Sequence, residues 1–308
     1  MAIALICPDR DMSQWAAAFH QLNPAIEVQI WPDIHTPEAI DYAVVWKHHV
    51  GLWQSLPNLR CISSLGAGVD WLLRDPELPV DMPIVRIVDD DLKQSMAEYV
   101  CYGALHFFRK MNAYCKQQAR KEWRVLPLPH ISMMPVGILG YGELGRYVGG
   151  RLEQLGFPVR GYRRSAHDGQ DADSVGHSSL AEFVADVSIL VCLLPLTRET
   201  KGILNLELLS KLPMGSCLIN VARGEHLVEQ DLLTTLDCGR LSWAMLDVAC
   251  EEPLPASHPF WSHPKIHITP HCSAITNPYS AVQQILENYT CMHNKKPLLN
   301  QVDRSRGY

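Results

Sequence analysis

The run from Pro135 to Gly150, PVGILGYGELGRYVGG, constrains the fold more than any other stretch of this chain. Residues 136–139 are apolar and read as a buried strand, Gly140-Tyr141-Gly142 as a tight turn, and Glu143 onward as the start of a helix. Gly140, Gly142 and Gly145 fit the pattern G-x-G-x-x-G. In that pattern the first glycine permits the turn, the second lets a pyrophosphate approach the backbone, and the third lets the helix pack closely on the strand. The helix N-terminus then offers free N–H groups and a positive dipole end to phosphate. The six residues alone also describe an ordinary strand-to-helix turn. A helix-like run to Leu155 and a short strand over 158–162 follow, completing the beginning of a βαβ unit.

The rest of the chain repeats that alternation. Strand-like segments at 2–7, 26–30, 42–46, 59–63 and 84–88 are separated by helical patches, which implies a parallel sheet. A second series lies at 189–193, 216–221, 243–248 and 266–269, with a helical patch at 229–236 closed by Gly239. The fold class is therefore α/β, with two doubly wound parallel-sheet domains: a flavodoxin-like domain and a Rossmann domain. The 308 residues suffice for two such domains. We place the first at 1–97 and the nucleotide-binding domain at 98–276. A helix and tail at 277–308, opened by Asn277-Pro278, return to the first domain. A long helix is expected over 95–121, where Met96, Val100, Ala104, Phe107, Phe108, Met111 and Cys115 recur at helical spacing with no internal proline. Its apolar surface exceeds what one domain edge needs, so a homodimer is expected.

Composition narrows the function classes. A net charge of -6 gives no electrostatic case for nucleic acid. No apolar run is long enough for a bilayer, so no membrane partner is expected. The N-terminus lacks a basic region and reads as a strand, not a signal peptide. The ten cysteines are dispersed without a C-x-x-C pair, which fits reduced thiols in a cytoplasmic protein. No two of the fourteen histidines combine a metal-ligand spacing with a neighbouring carboxylate, and no metal is expected.

Three polar residues follow buried strands, on the edge of a parallel sheet where ligands bind. Arg223 lies in Asn-Val-Ala-Arg-Gly, Glu252 in Asp-Val-Ala-Cys-Glu-Glu-Pro-Leu-Pro, and His271 in Thr-Pro-His-Cys-Ser-Ala. A guanidinium can hold a carboxylate through two bonds and polarise a neighbouring carbonyl. A histidine can deliver a proton near neutral pH. A carboxylate bonded to that histidine fixes its orientation and favours its charged form. Singly, each has a plain alternative: a surface arginine, an exposed glutamate, a histidine bonded to backbone. Earlier in the chain, Ser64-Leu65-Gly66-Ala67-Gly68-Val69-Asp70 follows a strand and can turn backbone N–H groups toward an anion, or simply join strand to helix.

Taken together these motifs resemble the D-2-hydroxyacid dehydrogenase family. The glycine fingerprint, the stretch 193–205, Asn-Val-Ala-Arg-Gly, Leu246-Asp247-Val248 with Glu252-Pro253-Leu254-Pro255, and Thr269-Pro270-His271 occur in that family's order over nearly the whole chain. The likeness extends to the glyoxylate/hydroxypyruvate reductase A branch through 65–70, Gly156-Phe157-Pro158 and the terminal Val302–Tyr308 run. The resemblance implies NADPH-dependent reduction of small 2-oxo acids such as glyoxylate and hydroxypyruvate, with NAD also usable. It implies a catalytic triad of Arg223, Glu252 and His271. His271 would protonate the 2-oxo oxygen, Glu252 would orient it, and Arg223 would bind the substrate carboxylate and carbonyl. Substrate contacts would also come from the backbone of Ala67 and Gly68 and from Trp46. Cofactor contacts would come from Gly140, Tyr141, Gly142, Glu143, Leu144, Gly145, Leu194, Pro195, Thr200, Val221, Ala222, Asp247 and Ser273. Of these, Asp247 and Ser273 would hold the nicotinamide carboxamide and Pro195 would press near the ring.

The chain departs from the family pattern in places. Glu143 stands where many relatives carry a basic residue, Ala249 replaces a frequent aromatic, and Glu251-Glu252 offers two acids; Glu252 is preferred because it precedes the proline. In NAD-binding folds an acid about 20 residues beyond the glycine turn holds the ribose hydroxyls. Here that position is Arg163, followed by Arg164 and Ser165, a set suited to a 2′-phosphate. The alternatives are a cofactor-sensing binding protein of the same fold with little turnover, or a dehydrogenase of another D-2-hydroxy acid such as phosphoglycerate. The short tail after the last helix speaks against the latter.

Overall fold

The computed structural model describes residues 1–163 and 179–308, in two compact units: Met1–Leu92 with Ile275–Tyr308, and Lys93–Ala274. The sequence placed these boundaries at 97/98 and 276/277; in the structure the first division falls inside helix Asp90–Phe108.

The first unit holds five parallel strands: β1 Ala2–Ile6, β2 Glu27–Ile30, β3 Ile40–Val45, β4 Cys61–Ser64 and β5 Ile84–Val85. Their order is β2-β1-β3-β4-β5, the flavodoxin-like winding. Every residue of β1 and β3 is buried, as both faces of a parallel sheet are covered. The strand alternation divides the core. Ile3 and Leu5 pack with Phe19 and Ile285, while Ala4 and Ile6 pack with Leu52, Ile62 and Leu72 on the other face. Helix Pro278–His293 starts as expected, with the Asn277 side chain accepting the Tyr279 N–H and proline in the first turn. It buries Ala281, Val282, Ile285, Tyr289 and Met292 against helix Ser13–Leu22 and the sheet. The tail then turns back. Val302 N–H donates to the Ile84 carbonyl at 2.8 Å, and Gln301 bridges Val85 antiparallel, closing the β5 edge.

The second unit holds six described parallel strands: β6 Val136–Leu139, β7 Val159–Tyr162, β8 Ile189–Cys192, β9 Ser216–Asn220, β10 Leu241–Leu246 and β11 Ile266–Ile268. The order is β11-β10-β9-β8-β6-β7. The winding reverses between β6 and β8, and ligands of open α/β sheets bind beyond the strand ends at such a point. Helix Glu143–Gln154 covers β6 with a stripe of Gly145, Val148, Gly149 and Leu152, the spacing of one helical face.

One expected element is corrected. The helix read over 95–121 is two helices, Asp90–Phe108 and Met111–Ala119. Between them Lys110 adopts a left-handed backbone, φ 56°, and its ammonium donates to the Pro127 carbonyl at 2.6 Å. A lysine carries no turn signal, so the apolar periodicity runs through the break unmarked.

Candidate active site

The glycine turn is built around close approaches. Gly140 has φ +95°, and a Cβ there would stand 2.6 Å from the main chain of Leu193, in the loop after β8. A Cβ on Gly145 would stand 2.3 Å from the Gly140 carbonyl oxygen. Gly142, which caps helix Glu143–Gln154, faces open space: a Cβ there would meet nothing within 4 Å. The turn thus keeps an uncrowded backbone surface at a helix N-terminus on the switch point of the sheet, and this fits a pyrophosphate. Tyr141 lies between the first two glycines of the turn. Its ring packs inward over Gly149 and Gly161, where added Cβ atoms would stand 2.8 Å and 2.0 Å from it. Glu143 is exposed and lies 3.8 Å from the Arg146 guanidinium. Leu144 packs on the core beside β6, and Leu194 on the core of the opposite face.

The loops after β9, β10 and β11 carry the polar residues. Asn220, fully buried, brackets the first of them: its side-chain oxygen accepts the Ala222 N–H and its amide donates to the Arg223 carbonyl. A Cβ on Gly224 would stand 2.0 Å from the Ala249 main chain, so the Arg-Gly step lets the Glu252 loop pass directly over it. The guanidinium of Arg223, half-buried, donates to the Ala222 carbonyl at 2.7 Å. Val221 and Ala222 are buried, leaving their main chain as the polar surface.

His271 Nδ1 lies 2.8 Å from Glu252 Oε2, and both side chains remain about a third exposed. The second acid, Glu251, is exposed. His271 has φ +53°, a left-handed backbone that a residue other than glycine keeps only where its surroundings support it. Asp247, 1% exposed, supplies that support. Its carbonyl accepts the His271 N–H, and its carboxylate accepts the N–H groups of Cys272 and Ser273 and the hydroxyl of Thr269. Three of roughly four carboxylate lone-pair positions are thereby filled, which leaves room for one further donor. Thr269 in turn accepts from Tyr99 on helix Asp90–Phe108. Burial pushes the Tyr99 phenol up, so it stays a neutral donor.

The Pro195 loop follows β8. The Pro195 carbonyl accepts the Thr200 hydroxyl at 2.7 Å. In the first unit, Trp46 follows β3, with its ring edge-on to Trp71 and the Arg10 guanidinium 5.5 Å above it. Ala67 and Gly68 follow β4, where Ser64 Oγ donates to the Gly68 carbonyl. Arg163 directly follows β7; Arg164 and Ser165 lie outside the described residues. Sequence reasoning missed Tyr99 and His226, since neither carries a motif and both act by contacts between distant segments. Among the described residues no group of three metal-ligating side chains occurs.

A parallel sheet with a glycine turn at its switch point, and an Arg, Glu and His on its ligand edge, defines a dinucleotide-dependent oxidoreductase class. Residues 102–273 match the family described as D-isomer specific 2-hydroxyacid dehydrogenase, NAD binding domain. A glyoxylate/hydroxypyruvate reductase A of Yersinia enterocolitica is 38% identical over the full length of both chains, and one of Klebsiella pneumoniae is also 38% identical over both. A D-isomer specific 2-hydroxyacid dehydrogenase from Xanthobacter autotrophicus, solved with NADPH and MES, superposes with a TM-score of 0.95 at 35% identity, covering 100% of this chain and 99% of that one. An NADPH-dependent glyoxylate/hydroxypyruvate reductase from Sinorhizobium meliloti, solved with NADP and sulfate, gives 0.92 at 34% identity and covers both chains fully. The chain belongs to the D-isomer specific 2-hydroxyacid dehydrogenase family.

Proposed function

We propose that this protein reduces small 2-oxo acids with NADPH, glyoxylate to glycolate and hydroxypyruvate to D-glycerate. The observation that carries the reading is the His271–Glu252 pair at 2.8 Å, with the loop that bears Glu252 packed over the Arg223-Gly224 step on the ligand edge of the sheet. The names of the full-length relatives at 38% identity support the substrate class. Nicotinamide, when bound, supplies the hydride. Glu252 holds Nδ1 of His271, which leaves Nε2 to give a proton to the 2-oxo oxygen. Arg223 binds the substrate carboxylate and polarises the carbonyl. The backbone of Ala67 and Gly68 takes the other carboxylate oxygen, and Trp46 limits the size of the acid. Gly140, Gly142 and Gly145 hold the pyrophosphate; Asp247 and Ser273 hold the carboxamide, and Pro195, Thr200 and the Val221-Ala222 main chain shape the nicotinamide side. Arg163, with Arg164 and Ser165, selects the 2′-phosphate.

The direct test is to mix protein, NADPH and glyoxylate or hydroxypyruvate and follow the absorbance of the reduced cofactor. Absence of turnover with intact NADPH binding would instead support a cofactor-sensing protein. We propose further that the protein is a cytoplasmic homodimer. All ten cysteines are free, and Tyr102, Met111, Trp123 and Val125 expose apolar surface on one unit. Among the described residues no helix is long and apolar enough to cross a membrane.

A further inference from the structure

Among the described residues His226 is the one fully buried histidine, and nothing in the proposed chemistry uses it. It ends the short turn Gly224–His226 directly after Arg223. Its Nδ1 accepts the main-chain N–H of Arg223 at 3.2 Å, and its Nε2 stands 3.3 Å from the carbonyl of Pro195. These partners fix the tautomer: a ring that accepts at Nδ1 must carry its proton on Nε2 and donate it to Pro195. The Nδ1 contact with the Arg223 carbonyl, also 3.2 Å, is then no hydrogen bond, and that carbonyl already accepts from Asn220. Burial pushes the His226 pKa down, in keeping with a neutral ring.

The two loops are also aligned by main chain. Gly202 N–H donates to the Glu225 carbonyl at 2.8 Å and Leu204 N–H to the His226 carbonyl at 2.9 Å. This pairing does not reach either functional residue. The imidazole does, at both ends. A buried polar ring costs desolvation, and an aliphatic side chain would fill the same space without that cost.

We propose that His226 is a positioning residue that sets Arg223 and Pro195 in register, coupling the oxo-acid anchor to the nicotinamide side of the site. The inference rests on the reductase reading for the roles of those two residues.

Three substitutions separate the two ends of the tie. In His226→Asn the side-chain oxygen stands near the place of Nδ1 and keeps the Arg223 bond. In His226→Gln the amide nitrogen reaches the place of Nε2 and keeps the Pro195 bond. His226→Leu keeps neither. The Asn variant should weaken NADPH binding, read by nicotinamide fluorescence, by about three- to tenfold, the scale of one neutral hydrogen bond. Its KM for the oxo acid should be unchanged. The Gln variant should bind NADPH as the parent does but lose up to about 10²-fold in kcat/KM for the oxo acid, the scale of a small misplacement. The Leu variant should show both losses. Should the Leu variant not fold, the Asn and Gln pair carries the comparison. Equal NADPH affinity and equal kinetics in Asn and Gln, with only melting temperatures lowered, would make His226 a packing residue and overturn the proposal. If the parent binds NADPH without turning over any oxo acid, the reductase reading fails while the Asn–Gln difference in NADPH affinity still decides the tie. A parent that does neither overturns both.

Discussion

In the proposed reaction proton delivery rests on one contact, the 2.8 Å pair of His271 and Glu252. His271→Gln should lower turnover by roughly 10²–10⁴, the scale of lost general acid catalysis, while NADPH still binds. Near-parental turnover would remove His271 from the mechanism. The neighbouring acids form an internal control. Glu252→Gln should lower kcat because the imidazole loses its orienting charge, and Glu251→Gln should leave kinetics unchanged. The reverse result would reassign the role. In the proposed reaction cofactor choice falls to Arg163, which directly follows β7. A charge-assisted hydrogen bond is worth about 1.5–3 kcal/mol, or roughly tenfold to a hundredfold in affinity. Arg163→Asp should therefore erase or invert a preference for NADPH over NADH and barely change kcat at saturating cofactor. The measurement is kcat/KM with both cofactors in parent and variant; an unchanged NADPH preference would place selection elsewhere.

At the scale of elements, the glycine turn depends on what fills the space behind it. The Tyr141 ring lies where a Cβ on Gly161 would stand 2.0 Å from it, and Gly149 meets the same ring from the helix. Strand β7 and helix Glu143–Gln154 can therefore close on the turn only as glycine-bearing elements. Gly161→Ala should destabilise the fold by about 1–3 kcal/mol, the usual cost of overpacking, and weaken NADPH binding by displacing the turn. Adding Tyr141→Leu should recover part of that stability, because the two positions are in contact and do not act additively. Thermal melts of both variants check this; identical losses with and without the second change would refute the contact as the cause. Helix Asp90–Phe108 supports the segment that carries His271 in a comparable way, through Tyr99, Thr269 and Asp247.

At the scale of the whole molecule, a buried histidine, His226, and a half-buried one, His267, give stability an acid limit. The pKa of His226 is pushed down by burial, and that of His267 by burial and by the His106 ring beside it. A histidine whose folded pKa lies below its unfolded value near 6.5 contributes stability that is present above the unfolded pKa. That contribution is lost as pH falls from there through the folded pKa, because the unfolded chain takes the proton first. The urea midpoint should accordingly fall between pH 7.5 and 5.5, and fall less in the His226→Gln, His267→Gln double variant. Equal falls in both proteins would assign the acid limit to other groups. Assembly is tested by light scattering: a homodimer should give twice the 34.7 kDa chain mass, and a mass near one chain would refute it.

Much of this protein is determined by order along the chain. Alternating apolar strands and helical patches specify parallel sheets, and the positions of Arg223, Glu252 and His271 just after strands put each on the ligand edge, because every parallel strand presents its carboxyl end on the same side. Glu252 is preferred over Glu251 in the sequence because it precedes Pro253, but its 2.8 Å contact with His271 appears only in the folded loop. The break at Lys110 was equally hidden, because a left-handed lysine is enforced by tertiary contacts rather than by its own preference. The same holds for Gly149 and Gly161, whose missing side chains make sense only with the Tyr141 ring between them, and for His226, whose value lies in touching Pro195 thirty-one positions away. The sequence alone determined which chemistry is available at the ends of the strands. The tertiary structure decided which groups meet, because contact between distant segments depends on how strands pair and loops approach, and neither is encoded in the local periodicity of the segments that meet.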